Sequence, residues 1–369
     1  MKSSSELFPV TLARAESLGQ YADDIYLVKH NTDRDKTVQI AVSHLSPGFG
    51  QAQPAPGSRQ PLVLVHGAFQ NRNQWLGLQG EGLAGWLVDQ GFDVWLMEMR
   101  GHGYSPRNKE YQQNTAEACA CYDIPAVNAF VQEQTGRKPL WLGHSLGGLA
   151  LATAVAASLL TPDNCAGTVL FGTQVLKRQW FMWLPLSGVS LRTMMKIKGE
   201  IDGEKAGKGP ENEPVGVVNE YLRRQGLFGK WQLREQKRLL LPGWRSARLP
   251  LLMISGAADE LAPADACQRF FDLYGSLASD AAGPSVTADA AEENMAEAEN
   301  GTDDVEDAAE LPVMDSEAGS AASALREHLV FGSDLDSNAL VNGDVAQQEI
   351  WPRLLVWLKA CQIVTEFAD

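Results

Sequence analysis

Cysteine, histidine and long hydrophobic runs are scarce in this sequence of 369 residues. The five cysteines include no Cys-x-x-Cys pair, which argues against a disulfide framework or a zinc site and favours a reducing compartment. The longest mainly apolar stretch, 147–160, is too short to cross a bilayer, and residues 1–13 lack the apolar core of a signal peptide. We therefore expect a cytoplasmic protein without stable membrane insertion.

Positive charge is also in short supply, because 31 Lys and Arg residues face 46 Asp and Glu residues and leave a formal charge of −15. A surface of this sign argues against nucleic acid as a partner. Most of the imbalance comes from residues 278–322, which contain 13 acidic residues and no Lys, Arg or aromatic residue. Such a segment buries too little apolar surface to offset its ordering entropy, so we predict a disordered insertion.

Outside this segment, short apolar runs alternate with helical patterns, which is typical of a parallel sheet covered by helices on both faces. The run Leu62–Val65 is continuously apolar and half β-branched, which predicts a strand buried on both sides. Further strands are predicted at 26–29, 38–44, 92–97, 139–142, 168–171 and 251–254. Helices are predicted near 83–90, 123–135 (with Asp123 as its N-cap), 146–160 and 351–358.

The sequence Gly-His-Ser-Leu-Gly at 143–147 fits the pattern Gly-x-Ser-x-Gly between a predicted strand and a predicted helix. A turn this tight lifts the hydroxyl of Ser145 above the sheet edge, beside the positive end of the helix dipole. This context favours a nucleophile over a passive serine in a glycine-rich turn. The N–H of Leu146 and an N–H of Ala68 or Phe69, in the loop after an earlier strand, would then bind the carbonyl oxygen. For the side chain of His66 we expect a structural role.

These features resemble the α/β-hydrolase superfamily, specifically its lipase-like, acid-lipase-like branch. The resemblance rests on residues 65–67, 93–105, 122–126 and 143–147 in this order, and it covers about 25–275 and resumes near 324. It implies an α/β-hydrolase fold, a mostly parallel sheet flanked by helices, with an inserted helical cap. It also implies a serine hydrolase that cleaves carboxylic ester or lipid substrates through an acyl-enzyme, with no cofactor and no metal. The corresponding segments are core at 1–172, 250–277 and 323–369, cap at 173–249 and acidic insertion at 278–322.

By the same resemblance, the acid that orients the catalytic base is Asp259, with Glu260 as the alternative. The base is harder to assign, because relatives place it in a loop that corresponds here to the region of Ser337, where no histidine stands. His328 satisfies the chain order Ser, Asp, His. Two interpretations remain open: a rearranged loop with His328 as the base, or a broken triad.

The expected cap contains the aromatic stretch 180–184, which fits either a lid over a small lipophilic ester or the small core of the cap itself. A second function is a degenerate, non-catalytic α/β-hydrolase-fold protein that binds partners through its acidic segment. Acyl transfer, as in polyester synthases of this fold, is disfavoured because those enzymes resemble this chain but carry Cys where Ser145 stands.

Overall fold

The computed structural model describes residues 5–366 apart from 49, 53, 56, 78, 178–198, 226–228, 279–324, 333–334 and 337. The aromatic stretch 180–184, the position of Ser337 and almost all of the acidic insertion therefore lie outside the described residues. All six histidines and all five cysteines lie within them, and the cysteines are free thiols. Within the described ranges, no helix is both long enough and apolar enough to span a membrane.

The main sheet contains nine strands in the order β1-β2-β3-β5-β4-β6-β7-β12-β13. Its strands are β1 (Val10–Leu18), β2 (Tyr21–Val28), β3 (Ile40–Pro47), β4 (Pro61–Val65), β5 (Asp93–Met97), β6 (Leu140–His144), β7 (Gly167–Phe171), β12 (Leu251–Gly256) and β13 (Arg326–Phe331). Two short hairpins pair β8 (Glu200–Ile201) with β9 (Glu213–Pro214) and β10 (Gln232–Leu233) with β11 (Arg238–Leu239).

Helices connect and cover these strands. They are α1 (Asn73–Leu76), α2 (Leu83–Asp89), α3 (Ala116–Ala118), α4 (Ile124–Thr135), α5 (Leu146–Ala156), α6 (Val215–Gln225), α7 (Leu241–Ser246), α8 (Ala264–Asp272) and α9 (Trp351–Glu366). A π-helical turn, Cys119–Asp123, joins α3 to α4, and a second one, Ala346–Ile350, precedes α9.

Strands β5, β4, β6, β7, β12 and β13 pair in parallel, whereas β1, β2, β3 and β5 pair antiparallel. Because the chain places β5 on one side of β4 and β6 on the other, a crevice is expected at the carboxyl ends of β4 and β6. This arrangement confirms the predicted α/β-hydrolase fold with a mostly parallel sheet.

Each face of the sheet has its own apolar core, as the alternation of side chains requires. Val63 and Val65 pack on one side with residues of α4, α5 and α8, while Leu62 and Leu64 pack on the other with residues of α2 and α9. All four side chains are fully buried. The apolar run in β4 therefore follows from burial on both faces, as predicted.

Two local predictions were incomplete or wrong. Strand β1 was not predicted, because most of its side chains are exposed and the sequence shows little apolar alternation. Asp123 does not cap α4: its side chain is fully buried, accepts hydrogen bonds from Arg100 and pairs with His30. The carboxylate of Asp123 forms a buried ion pair with Arg100. A buried charge needs such a partner, so the side chain bonds to Arg100 instead of capping the helix.

Candidate active site

Ser145 occupies the sharp turn between β6 and α5. Its backbone has φ 48° and ψ −107°, a conformation that costs energy for a residue with a side chain. Its N–H donates to Phe171 O at 2.9 Å, and its C=O accepts the first bond of the helix from Leu149 N–H at 2.8 Å. The strained turn is thus held by the neighbouring strand and by the helix. Its hydroxyl lies at the helix N-terminus, as the sequence predicts.

Glycines flank the turn because the backbone leaves no room for a side chain. A Cβ atom at Gly147 would lie 2.5 Å from His66 O and 2.7 Å from Val65 O. One at Gly143 would lie 2.8 Å from the backbone of Gly148. The first turn of α5 therefore packs directly on the end of β4, which brings the predicted nucleophile and the loop after β4 together.

The loop after β4, residues 66–71, is fixed by buried hydrogen bonds, and we call it the oxyanion loop. His66 donates from Nδ1 to Gly67 O (2.9 Å) and accepts at Nε2 from Met99 N–H (3.0 Å). Burial lowers the pKa of this ring to about 3, so it stays neutral. Both ring nitrogens bond to backbone, in agreement with the structural role expected for His66.

Gln74 links this loop to the elbow, a role that the sequence did not indicate. Its Oε1 accepts from Gly67 N–H at 2.8 Å, and its Nε2 donates to Nδ1 of His144 at 2.9 Å. Its backbone carbonyl accepts from Asn342 Nδ2 at 2.7 Å. The side chain and the backbone of one buried residue, Gln74, therefore connect the loop after β4, the residue before Ser145 and the segment before α9.

The structure separates the two predicted donors in this loop. The N–H of Phe69 donates to Oε1 of Glu213 at 2.8 Å. Neither Ala68 N–H nor Leu146 N–H has a hydrogen-bond partner among the described residues. For Leu146 this follows from its place at the start of α5, where backbone donors lack helical partners. Of the three predicted oxyanion donors, Leu146 and Ala68 are therefore the two whose N–H groups have no partner in the described part of the chain.

Asp259 lies in the loop after β12 and is 4% exposed. Its Oδ1 accepts from Leu261 N–H and Ala262 N–H, both at 2.9 Å, while Oδ2 is buried with no hydrogen-bond partner in the described part of the chain. The neighbouring Ala258 N–H donates to Leu335 O at 3.2 Å, so this loop touches the one after β13. A buried carboxylate oxygen without a donor is uncommon and is often found at functional sites.

The structure does not bring His328 to Ser145. His328 lies within the edge strand β13 and pairs in register with Met253. Three strand spacings of about 4.8 Å each separate β6 from β13. The ring contacts Ser255 Oγ through Nε2 at 2.8 Å and Gln268 Oε1 through Nδ1 at 2.6 Å. The prediction of His328 as the base therefore rests on chain order, and its contacts in the strand count against it.

The other histidines are also engaged away from Ser145. Their partners are Asp123 and Thr32 for His30, Asp93 for His44, backbone for His66, Glu213 for His102 and Gln74 for His144. In the described part of the chain, the Ser145 hydroxyl has no hydrogen-bond partner. The predicted nucleophile, oxyanion donors and acid lie in the loops where the sequence places them, but no imidazole is hydrogen-bonded to the predicted nucleophile, Ser145.

A buried carboxyl lies beneath the neighbouring loop, 100–105. Glu98 is 1% exposed and accepts from Tyr104 N–H at 2.7 Å and from Arg72 N–H at 3.2 Å. Burial nevertheless raises its pKa to about 7. A Cβ atom at Gly103 would lie 1.8 Å from Glu98 Oε1, so the loop wraps closely around this carboxyl.

In the described ranges, no group of three or more His, Cys, Asp or Glu side chains is arranged to hold a metal ion.

Comparison with known proteins agrees with this geometry. The family described as alpha/beta hydrolase fold matches residues 60–193. Human lipase member K is 36% identical over 108 residues, and human gastric triacylglycerol lipase is 36% identical over 100 residues. These matches cover 27% and 25% of this chain and the same shares of the two lipases, so the chain spans about a quarter of their length.

Among solved structures, a malate-bound thermophilic esterase from Thermogutta terrifontis superposes with a TM-score of 0.51. It covers 95% of this chain and 99% of that chain at 14% sequence identity. A likeness at this level of identity supports the fold alone.

Proposed function

We propose that this chain is a lipase-like member of the α/β-hydrolase superfamily and that it cleaves carboxylic ester or lipid substrates through an acyl-enzyme on Ser145. The observation that carries the proposal is the Ser145 turn itself. A strained serine at a helix N-terminus, beside two unpaired amides, suits attack on an ester carbonyl and stabilisation of the resulting oxyanion. The names of the lipase relatives support a small lipophilic ester as the substrate class.

In the proposed reaction, Ser145 Oγ bonds to the carbonyl carbon and loses its proton, and the alcohol leaves with a proton. Water then cleaves the acyl-enzyme to release the acid and restore the hydroxyl. The N–H groups of Leu146 and Ala68 hold the oxyanion in both steps. Asp259 stands at the acid position. Since no imidazole contacts Ser145, we expect slow turnover, because loss of a triad base costs roughly 10³-fold or more.

The proposed cap, 173–249, would close over the carboxyl ends of the strands. Support comes from the described part of this segment, where Glu213 is buried against the oxyanion loop. The five free thiols, four of them buried, fit a reducing compartment such as the cytoplasm.

A second candidate function is that of a non-catalytic binding protein of this fold. The engagement of all six histidines away from Ser145 favours it. This protein would bind acyl groups or partners without turning them over.

A fluorophosphonate probe distinguishes the two functions. We expect the probe to label the folded protein and Ser145→Ala to abolish the label, while the exposed Ser17→Ala keeps it. Hydrolysis of p-nitrophenyl esters of increasing acyl length should fall to background in Ser145→Ala. Labelling without any turnover supports the binding protein. A folded protein that is not labelled contradicts Ser145 as a nucleophile.

A further inference from the structure

A segment far away in sequence, residues 199–214, forms hydrogen bonds to the oxyanion loop. We call it the cap segment. Both backbone groups of Phe69 are taken: its N–H donates to Glu213 Oε1 at 2.8 Å, and its C=O accepts from Glu211 N–H at 3.0 Å. Asn71 Nδ2 donates to Glu211 Oε1 at 2.7 Å, and Gln70 Nε2 donates to Lys208 O at 3.2 Å. The cap segment therefore contacts three consecutive residues of the loop.

Phe69 needs such support because its backbone is strained. Its φ of 61° lies in the left-handed region, which is uncommon for an aromatic residue. A strained conformation persists only where surrounding contacts determine it. Here the determining contacts are the hydrogen bond that Phe69 N–H donates to Glu213 and the one that Phe69 O accepts from Glu211 N–H.

Glu213 is an unusual residue to find in this place. It is 1% exposed, and its Oε2 is buried with no hydrogen-bond partner among the residues that the structure describes. His102 lies beside this carboxyl: its Nε2 is 3.1 Å from Glu213 Oε1, and its Nδ1 is 3.3 Å from Arg100 O. Burial lowers the pKa of His102, but the hydrogen bond and charge of Glu213 outweigh it, so the pKa is raised and the pairing of the two side chains is favoured. A buried pair of ionisable groups is costly to maintain, which is consistent with a purpose beyond stability.

The hydrogen bonds of Phe69 determine the role that remains for Ala68. Since Phe69 N–H is committed to Glu213, the other predicted donor of this loop, Ala68 N–H, is the one without a hydrogen-bond partner among the described residues. The approach of Gly147 to His66 O places the start of α5 against the same loop. Ala68 N–H and Leu146 N–H are thereby held on adjoining backbones.

We propose that Glu213 is a positioning residue of the Ser145 site, which clamps Phe69 in its left-handed conformation and so aims the N–H of Ala68 at the oxyanion. The clamp can be tested without turnover, whereas the aim of Ala68 rests on the proposed ester hydrolysis. In this role the cap segment supports the oxyanion hole through a hydrogen bond, in addition to any contact it makes with substrate.

Amide hydrogen exchange at Phe69 tests the clamp in the full chain. Glu213→Ala removes the acceptor, so we expect exchange of this amide to rise on the order of ten- to a hundredfold. Glu213→Gln retains an acceptor oxygen and should restore most of the protection. Glu200→Ala is the matched control, since Glu200 lies in the same hairpin but contacts Asn212 and Arg107. Thermal unfolding of each variant shows whether it is folded.

Ester kinetics test the aim of Ala68. The oxyanion bond forms in the transition state, and loss of one donor costs about 10²–10³ in kcat in known enzymes. A loosened donor should therefore lower kcat about tenfold in Glu213→Ala while KM stays unchanged, with rescue by Glu213→Gln. A general structural defect would instead lower the amount of active enzyme in both variants.

Three results would overturn the proposal. If the amide of Phe69 exchanges at the wild-type rate in folded Glu213→Ala, Glu213 does not clamp Phe69. If this amide exchanges faster but kcat is unaltered, the clamp does not position the N–H of Ala68. A higher kcat in Glu213→Ala would show that the carboxylate blocks the oxyanion site. If the wild type neither turns over esters nor reacts with the fluorophosphonate, ester hydrolysis fails as the function, and exchange alone still decides the clamp.

Discussion

Two pairs of loops end at the same edge of one sheet, and they are built in different ways. The nucleophile side, after β4 and β6, is held by backbone contacts at van der Waals limits, such as Gly147 against His66 O. The acid side, after β12 and β13, also has a close backbone contact, Gly256 against Leu335 O, but its predicted acid and base are held by side-chain hydrogen bonds: Asp259 within its own loop, and His328 with Ser255 and Gln268. The nucleophile side has the turn that the proposed ester hydrolysis requires, whereas on the acid side no hydrogen bond joins Asp259, His328 and Ser145.

The comparison teaches that a catalytic constellation can be only partly determined by the fold. Where the backbone packs so closely that only glycine fits, the turn around Ser145 can adopt one arrangement. By contrast, one oxygen of the Asp259 carboxylate has no donor among the described residues, so the packing does not determine its partner. Substitutions that test packing on each side should therefore differ strongly in effect.

The largest effect is expected from Gly147→Val on the nucleophile side. Its Cβ would meet backbone oxygens of Val65 and His66 at 2.7 and 2.5 Å, which cannot move without disturbing β4. We expect a loss of about 3 kcal/mol or more in the free energy of unfolding and loss of fluorophosphonate labelling. Urea unfolding followed by tryptophan fluorescence measures the first, and gel fluorescence the second.

Gly332 on the acid side is the matched control. The nearest atom to a Cβ there is Leu335 Cγ at 3.6 Å, an ordinary contact. Gly332→Val should change the free energy of unfolding by no more than about 0.5 kcal/mol. Equal destabilisation by the two substitutions would contradict the difference between the two sides.

A smaller effect is expected from the pH dependence conferred by Glu98, again on the nucleophile side. Its pKa is about 7 in the folded protein, against an ordinary value of 4.5 for a glutamate side chain, so the folded state binds more protons between these values. Stability contributed by this group is present below about pH 4.5 and is lost as pH rises toward 7. At 1.36 kcal/mol per pKa unit, the loss is about 3 kcal/mol.

Urea unfolding at several pH values from 4.5 to 8 checks this contribution. The free energy of unfolding of the wild type should fall relative to that of Glu98→Gln as the pH rises. Glu327→Gln, on the exposed part of β13, is the control and should give a constant difference. Parallel curves for wild type and Glu98→Gln would show that Glu98 titrates alike in both states.

The sheet and the elbow could be predicted from sequence because their signals are local. An apolar run such as Leu62–Val65 and the glycines around Ser145 reflect contacts that the adjacent residues themselves make. Strand β1 escaped prediction because it exposes most of its side chains. Asp123 was misassigned because an acid before a helix fits a cap and a buried ion pair equally well in sequence.

The polar contacts around the site could not be predicted, because they join residues remote in the chain. Glu213 meets Phe69 across 144 positions and Gln74 meets His144 across 70, and neither residue stands in a recognisable motif. The choice between Ala68 and Phe69 as donor likewise depended on which amide Glu213 occupies. Chain order suggested His328 as the base, but the register of β13 decides where its ring lies.

The smallest effect is expected from His328→Gln, and it tests the acid side most directly. A base at Ser145 would make this substitution cost roughly 10³-fold in turnover. The ring instead bonds Ser255 and Gln268 on β12 and α8, so we expect kcat/KM for a p-nitrophenyl ester to stay within about threefold of wild type. Steady-state kinetics measure this ratio, and the Ser145→Ala variant, assayed in parallel, gives the background rate. A large loss in a folded His328→Gln protein would mean that the ring leaves Ser255 to reach Ser145 during reaction, and that the two sides of the site are joined by motion rather than by packing.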